Sequence, residues 1–170
     1  MEGSEFTAQK FQKEDFSDKD FSEYKFIDCT FENCNFSLTK LHSARLQNVV
    51  FINCKILGIN FTVCKQLFLT MEFRDCLVSS CDFSSMDLKN TKFVNCQLTD
   101  CDFLRTNLSG ALFKSSNLRE SKFENSNLTS ASFENSKDYD INPNKNILRK
   151  TRFSFPEVTN LLNSFDIEII

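Results

Sequence analysis

The chain has 170 residues, 41% of them hydrophobic and 25% charged, which suits one folded domain of ordinary size and excludes a disordered tail-like protein. Twenty Lys and Arg stand against 23 Asp and Glu, a formal net charge of −3. This balance argues neither for nor against a charged partner, and along the chain no basic run or acidic tail stands out.

The N-terminal stretch "MEGSEFTAQK" is polar and acidic, unlike a secretory leader, and no apolar run approaches the roughly 18–20 residues that span a bilayer. The expected location is the cytoplasm, away from membranes, where thiols stay reduced. Twenty Phe with no Trp and two Tyr show that one large side chain without a polar tip is required repeatedly.

From Phe6 a large apolar residue falls on every fifth position through Phe61. These residues are Phe except Leu41, Leu46 and Ile56. The series breaks at "KQLFLT" (65–70) and resumes two residues out of phase, from Phe73 through Phe133, with Phe alternating with Leu or Val. A period of five belongs to neither a helix nor a plain strand. We call the large residue position i. At i−2 stand small or slim residues such as Cys29, Cys34, Thr39, Ala44, Cys76, Ser116 and Ser121. A spacing of two places i−2 and i on one face of an extended segment, so each repeat turns one small and one large side chain inward. At i+2 stand turn residues, among them Asp28, Asn33, Gly58, Asp100 and Asn125, with Leu38, Val63, Arg105 and Glu120 as exceptions. Each repeat is a short straight side followed by a corner.

The cysteines set the number of sides. Cys34/Cys54, Cys76/Cys96 and Cys81/Cys101 are each 20 apart, and "FRDCLVSSCDF" aligns with "FVNCQLTDCDF" at the same offset. Four sides of five residues make one coil. Strands lie about 4.8 Å apart, so about six coils form a rod on the order of 30 Å long. The expected fold is an all-β solenoid over 1–153. Units such as "CDFSS", "TNLSG" and "SNLTS" resemble the pentapeptide-repeat family, with Asp82, Asp87, Asp102, Asn107, Asn117 and Asn127 at its Asp/Asn position. The resemblance covers about 130 residues and implies a right-handed quadrilateral β-helix. Gln9, Glu14 and Lys19 depart from it by placing polar groups in i−2 slots of the first coil.

The phase break predicts a kink or a protruding contact loop, Gln66, Leu67, Phe68 and Leu69. A second loop is expected at 137–146, replacing two sides before Leu148 and Phe153 rejoin the register. Residues 154–170 read as a capping and dimerisation segment. Ser154 and Glu157 have capping-box spacing, and Val158, Leu161, Leu162 and Phe165 share one face of a short α-helix. With Ile167, Ile169 and Ile170 they exceed what a cap needs. Together these seven residues form the expected interface of a homodimer joined end to end, as in relatives that the resemblance brings in.

All eight cysteines occupy i−2 slots that other repeats fill with Ala, Ser, Thr or Met, so they read as small buried residues rather than ligands. His42, the only histidine, faces outward at i+1. No phosphate loop, serine elbow or HExxH motif is present. The sequence therefore predicts a non-enzyme with no metal and no cofactor. Two functions stay open. Resemblance to the Qnr, MfpA and McbG type of pentapeptide-repeat protein implies a DNA mimic that binds DNA gyrase or a related topoisomerase and confers quinolone resistance. It binds no nucleic acid directly. The alternative is a general interaction scaffold with an unrelated protein partner.

Overall fold

The five-residue beat closes into a parallel coil in a computed structural model that describes residues 4–165 and 167. The first face stacks Glu5–Thr7, Lys25–Ile27 and Arg45–Gln47. The second stacks Lys10–Gln12, Thr30–Glu32, Val49–Ile52, Met71–Arg74 and Lys92–Val94, and near its far end pairs Ser132–Phe133 with Arg152–Phe153. The third stacks Lys55–Leu57, Leu77–Ser79 and Gln97–Thr99. The fourth is held mainly by single bridges, such as Asp82 to Asp102 and Asp102 to Lys122. Every pairing is parallel, and the molecule makes about seven turns, one more than the sequence estimate.

Partners lie 20 residues apart, as for Phe11 and Phe31, and 22 apart across the break, as for Phe51 and Phe73. An even number of sides puts Phe above Phe. On the second face Phe93 stacks on Phe73 at 4.9 Å and on Phe113 at 5.1 Å, with rings 6° and 8° from parallel. On the fourth, Phe61, Phe83, Phe103 and Phe123 stack likewise at 4.7–5.1 Å. The two columns meet edge to face across the rod, as Phe93 and Phe103 do at 5.9 Å and 82°. From Val78 to Leu128 Leu and Val fill the remaining two sides, whereas earlier coils place Phe6 and Phe26 on the first and Phe16, Phe36 and Ile56 on the third.

The corners are uniform in conformation although not in residue type. Each i+2 residue from Ala8 to Asn135 has φ between +50° and +70°, Val63 excepted. Leu38, Arg105 and Glu120, which lack turn chemistry, adopt it too. The inter-coil ladder imposes it: the corner N–H of Arg105 donates to Glu124 O at 2.8 Å, as that of Asn33 does to Ile52 O at 2.9 Å. A left-handed corner costs a non-glycine residue about 1 kcal/mol, comparable to the hydrogen bond it secures. Amide side chains also ladder from coil to coil, for example Asn53 to Asn33 and Asn95 to Asp75, each at 2.6 Å.

The first coil is part of the rod, with Phe6 opposite Phe26. Its Phe6, Phe11, Phe16 and Phe21 are half-buried, and the polar slots Gln9, Glu14 and Lys19 are exposed at the open end.

Two expectations are corrected near the C-terminus. The stretch 137–146 does not replace two sides with a loop. Tyr139 enters the core, Asp140–Ile141 pairs with Lys122–Phe123, and only Pro143–Lys145 departs, as one 3-10 turn. A shortened corner between Tyr139 and Ile141 keeps both side chains inward, and apolar burial favours this over an open loop. The C-terminal helix Glu157–Ser164 is 3-10 rather than α. No capping box forms: Ser154 Oγ instead accepts from Asn135 N at 2.9 Å, tying the segment to the coil before it.

Candidate interaction surface

The interior slots bear on chemistry first. All eight cysteines are free thiols and buried. Cys34, Cys54, Cys76 and Cys96 stack in consecutive coils, and Ser116 and Ser136 continue the column. Apart from Cys96, whose Sγ reaches Val94 O in its own coil at 3.4 Å, each of these donates to the carbonyl of an i residue in the coil before. Cys54 Sγ reaches Phe31 O at 3.3 Å, Ser116 Oγ reaches Phe93 O at 3.1 Å, and Thr106 Oγ1 reaches Phe83 O at 2.9 Å. Hydroxyls in these slots also accept from below, as Ser116 Oγ does from Cys96 N at 3.0 Å. Sequence reasoning treated these cysteines as small hydrophobes and missed this donor role. The signal was present in the shared use of one slot by Cys, Ser and Thr. Burial pushes the Cys64 thiol up to about 12, and the Cys76 thiol together with burial raises that of Cys54. Thiols held in that form are poor nucleophiles. Among the described residues no group of three His, Cys, Asp or Glu could hold a metal ion.

The outside is sorted by register. Residues at i−1 and i+1 face solvent, so the coil gathers side chains that lie 20 apart in sequence. Through residue 153, the first and second faces carry twelve cations and seven carboxylates, and the third and fourth carry eight cations and twelve carboxylates. A linear count of charge misses this segregation. The edge between the third and fourth faces is acidic in two blocks. Asp18 and Asp20 form one in the first coil, with Asp15 farther back on the third face and Glu23 at the next corner. Asp82, Asp100, Asp102, Glu120, Glu124 and Asp140 form the other, with Asp82 and Asp102 in direct register. The hydroxyl and N–H of Ser17 hold Asp15 below the usual carboxylate range, and Ser22 does the same for Asp20. Lys122 and Lys145 offset part of the second block through pairs with Asp102 at 3.5 Å and Glu124 at 2.7 Å.

At the break, Leu67 is 71% exposed and Phe68 59%, with φ +63° at Phe68, and Gln66 is exposed beside them. Leu69 is a correction to the expected contact loop: it is buried, because an apolar side chain must fill the first face between coils. The Arg45 guanidinium lies 5.2 Å from the Phe68 ring centroid, a cation–π contact that orients the projecting residue.

In the C-terminal segment the 3-10 winding divides the four residues read as one helical face. Three residues per turn superpose i and i+3. Val158 and Leu161 form one row, half-buried, with Leu161 packed on the core. Leu162 and Phe165 form the next row and are exposed, as is Ile167. Ile169 and Ile170 lie outside the described residues. His42 is exposed, as expected from its register.

The family model of the pentapeptide repeat region matches residues 4–67 and 67–142, the stretch that builds the four-sided parallel coil. The chain belongs to the pentapeptide-repeat family. Among solved structures, a trypsin-treated variant of QnrB1, described as a plasmid-mediated fluoroquinolone resistance protein, is similar at 19% identity and a TM-score of 0.53. The match covers 99% of this chain and 92% of that one. A second trypsin-treated QnrB1 variant gives 17% identity and a TM-score of 0.52 over 99% and 98% of the two chains. These likenesses establish the right-handed quadrilateral β-helix. No curated protein matches the sequence significantly. Pentapeptide-repeat proteins are in general structural and interaction proteins rather than enzymes. Among the described residues, no helix of this one is long and apolar enough to cross a membrane.

Proposed function

We propose that this pentapeptide-repeat protein is a non-catalytic, cytoplasmic binding rod that acts on DNA gyrase or a related topoisomerase as a DNA mimic. The observation that carries the reading is the acidic edge between the third and fourth faces. A chain of nearly balanced charge places carboxylates on successive coils along one line, where a ligand shaped by phosphates would present them. The fold shared with QnrB1 over nearly the whole chain supports the same reading. The exposed pair Leu67 and Phe68, with Gln66, offers a contact at mid-rod. Leu162, Phe165 and Ile167, together with Ile169 and Ile170, would join two rods end to end, while Val158 and Leu161 close the core beneath them. Such a rod needs no cofactor or metal and does not itself bind nucleic acid.

The test is gyrase supercoiling with purified protein, with and without a fluoroquinolone. Inhibition, or relief of drug poisoning, at micromolar protein is the expected result. If the protein neither inhibits, protects nor binds gyrase, the reading fails. The projecting Leu67 and Phe68 then favour a scaffold whose partner is another protein.

A further inference from the structure

The edge diagonally opposite the acidic one has an inverse character, and the gyrase reading makes no use of it. Between the first and second faces, the last four coils present Lys89, Lys92, Lys114, Arg149, Lys150 and Arg152. Asp87 and Glu134 are the carboxylates on those faces over the same coils. Lys92 and Lys114 are partly neutralised by Glu72 and Glu134, each at 3.4 Å. Arg149, Lys150 and Arg152, all exposed on the final coil, are in no ion pair with a described residue. Apolar groups flank them: Ile147 is 52% exposed and Phe155 83%. Beneath them Ser132, in register with Arg152, is buried with an unpartnered hydroxyl.

We infer that this edge of the final coils is a second docking surface, for an acidic segment of another protein that carries apolar or aromatic residues beside its carboxylates. Three cations that pair with no described residue call for carboxylates. The exposed Ile147 and Phe155 call for apolar side chains next to them, which a phosphate backbone lacks. Duplex nucleic acid is disfavoured by the rest of the rod: many phosphate contacts are needed for affinity, and the carboxylates of the third and fourth faces would be drawn into the same polyanion field. A local acidic peptide meets only the basic edge. The partner is thereby placed on the opposite side of the rod from the acidic edge, so a single rod can bridge two proteins. The inference does not depend on the gyrase reading.

The experiment is fluorescence anisotropy of a short labelled peptide of Glu and Asp containing two Phe, titrated with the full chain at low and high salt. A labelled DNA duplex is the comparison. Saturable peptide binding that weakens with salt is expected. Arg149→Glu with Arg152→Glu should weaken it by about tenfold or more, because rim charges set steering and salt dependence. Lys122→Glu on the opposite edge should leave it unchanged. Phe155→Ala should weaken this peptide more than one in which its Phe are replaced by Ser. Circular dichroism checks that each variant keeps the fold. The inference is overturned if the peptide does not saturate, if the double variant binds like wild type, or if the duplex binds more tightly than the peptide. Salt-sensitive self-association without peptide binding would also overturn it, and would assign the edge to a second copy.

Discussion

Cys54 donates its thiol proton to the carbonyl oxygen of Phe31, 3.3 Å away and one coil back. The contact explains why the slot accepts Cys, Ser and Thr: each is slim and each carries a donor for a carbonyl at the corner. Ala and Met fill other slots, so the donor is an addition to packing and not a condition of it. A thiol–carbonyl bond is weak, and its net contribution falls at or below the roughly 0.5–1.5 kcal/mol typical of protein hydrogen bonds. Cys54→Ser should therefore leave the urea midpoint close to wild type. Cys54→Leu should lower it sharply through overpacking.

Burial of the Cys64 thiol makes its contribution to stability depend on pH with a definite sign. Cys64, pushed up to about 12 in the fold, ionises near 8.5 once unfolded. Above about pH 8.5 the unfolded chain binds fewer protons than the native one, so stability falls as pH rises toward 12 and is fully present below that window. Urea unfolding at pH 7, 8, 9 and 10 under reducing conditions should show this decline. Cys64→Ala should make the slope shallower. A slope unchanged by that substitution would show that the Cys64 thiol is not protected. In the native state at pH 8, thiol reagents should label none of the eight cysteines at an appreciable rate, and denaturant should release all eight.

The aromatic column of the second face runs unbroken from Phe11 to Phe153. Phe113 stacks between Phe93 and Phe133 at 5.1 and 4.9 Å and is fully buried. Removing a fully buried Phe side chain costs about 3–5 kcal/mol. Phe113→Ala is expected to fall in that range by chemical denaturation, and Phe113→Leu, which the alternate faces accept by design, well below it. Phe11, half-buried in the first coil, should cost less for the same change to Ala.

Much of this architecture was legible in one sequence because the five-residue period holds without exception from Phe6 to Phe61 and from Phe73 to Phe133. Phe93 and Phe113 predict each other's position, and four sides follow from Cys76 and Cys96. The exposed surface was less legible. Charge read along the chain averages out, whereas the coil adds residues 20 apart, so Asp82 and Asp102 become neighbours only once the number of sides is known. The segment 154–165 misled for a different reason. Val158, Leu161, Leu162 and Phe165 satisfy the 3.6-residue pattern, but they satisfy a three-residue pattern in pairs as well. The tertiary contact with the core, not the pattern, selects the tighter winding. Tyr139 and Ile141 were hidden because the shortened corner between them breaks the period.

That winding decides which variant tests the homodimer. Leu162→Asp with Phe165→Asp alters the exposed row and should convert a particle of twice the 19.7 kDa monomer mass into a monomer with little change in melting temperature. Leu161→Asp should instead lower the melting temperature, because Leu161 packs on the core. Light scattering and thermal unfolding on both variants separate the two roles. A monomeric wild type would end the dimer proposal.

The break at mid-rod permits a sharper test, because its surplus is two residues. Deleting Gln66 and Leu67 leaves "CKFLT" between Val63 and Met71: Cys64 at i−2, Phe68 at i and Thr70 at the corner. This is a regular repeat, and it restores the 20-residue offset that Phe51 and Phe73 lack. Phe68 would turn inward beside Leu46, and Leu69 would move out to i+1, where Leu57 and Leu104 already stand. Burying a large aromatic in place of an exposed one favours the deleted chain by up to about 2–3 kcal/mol, less the outward transfer of Leu69. The deletion should therefore fold with an unchanged or higher melting temperature. If the projecting residues contact gyrase, the stabilised rod should also lose most of its effect on supercoiling. A deletion that melts at wild-type temperature or above and keeps full activity would reduce the break to a kink between two half-rods.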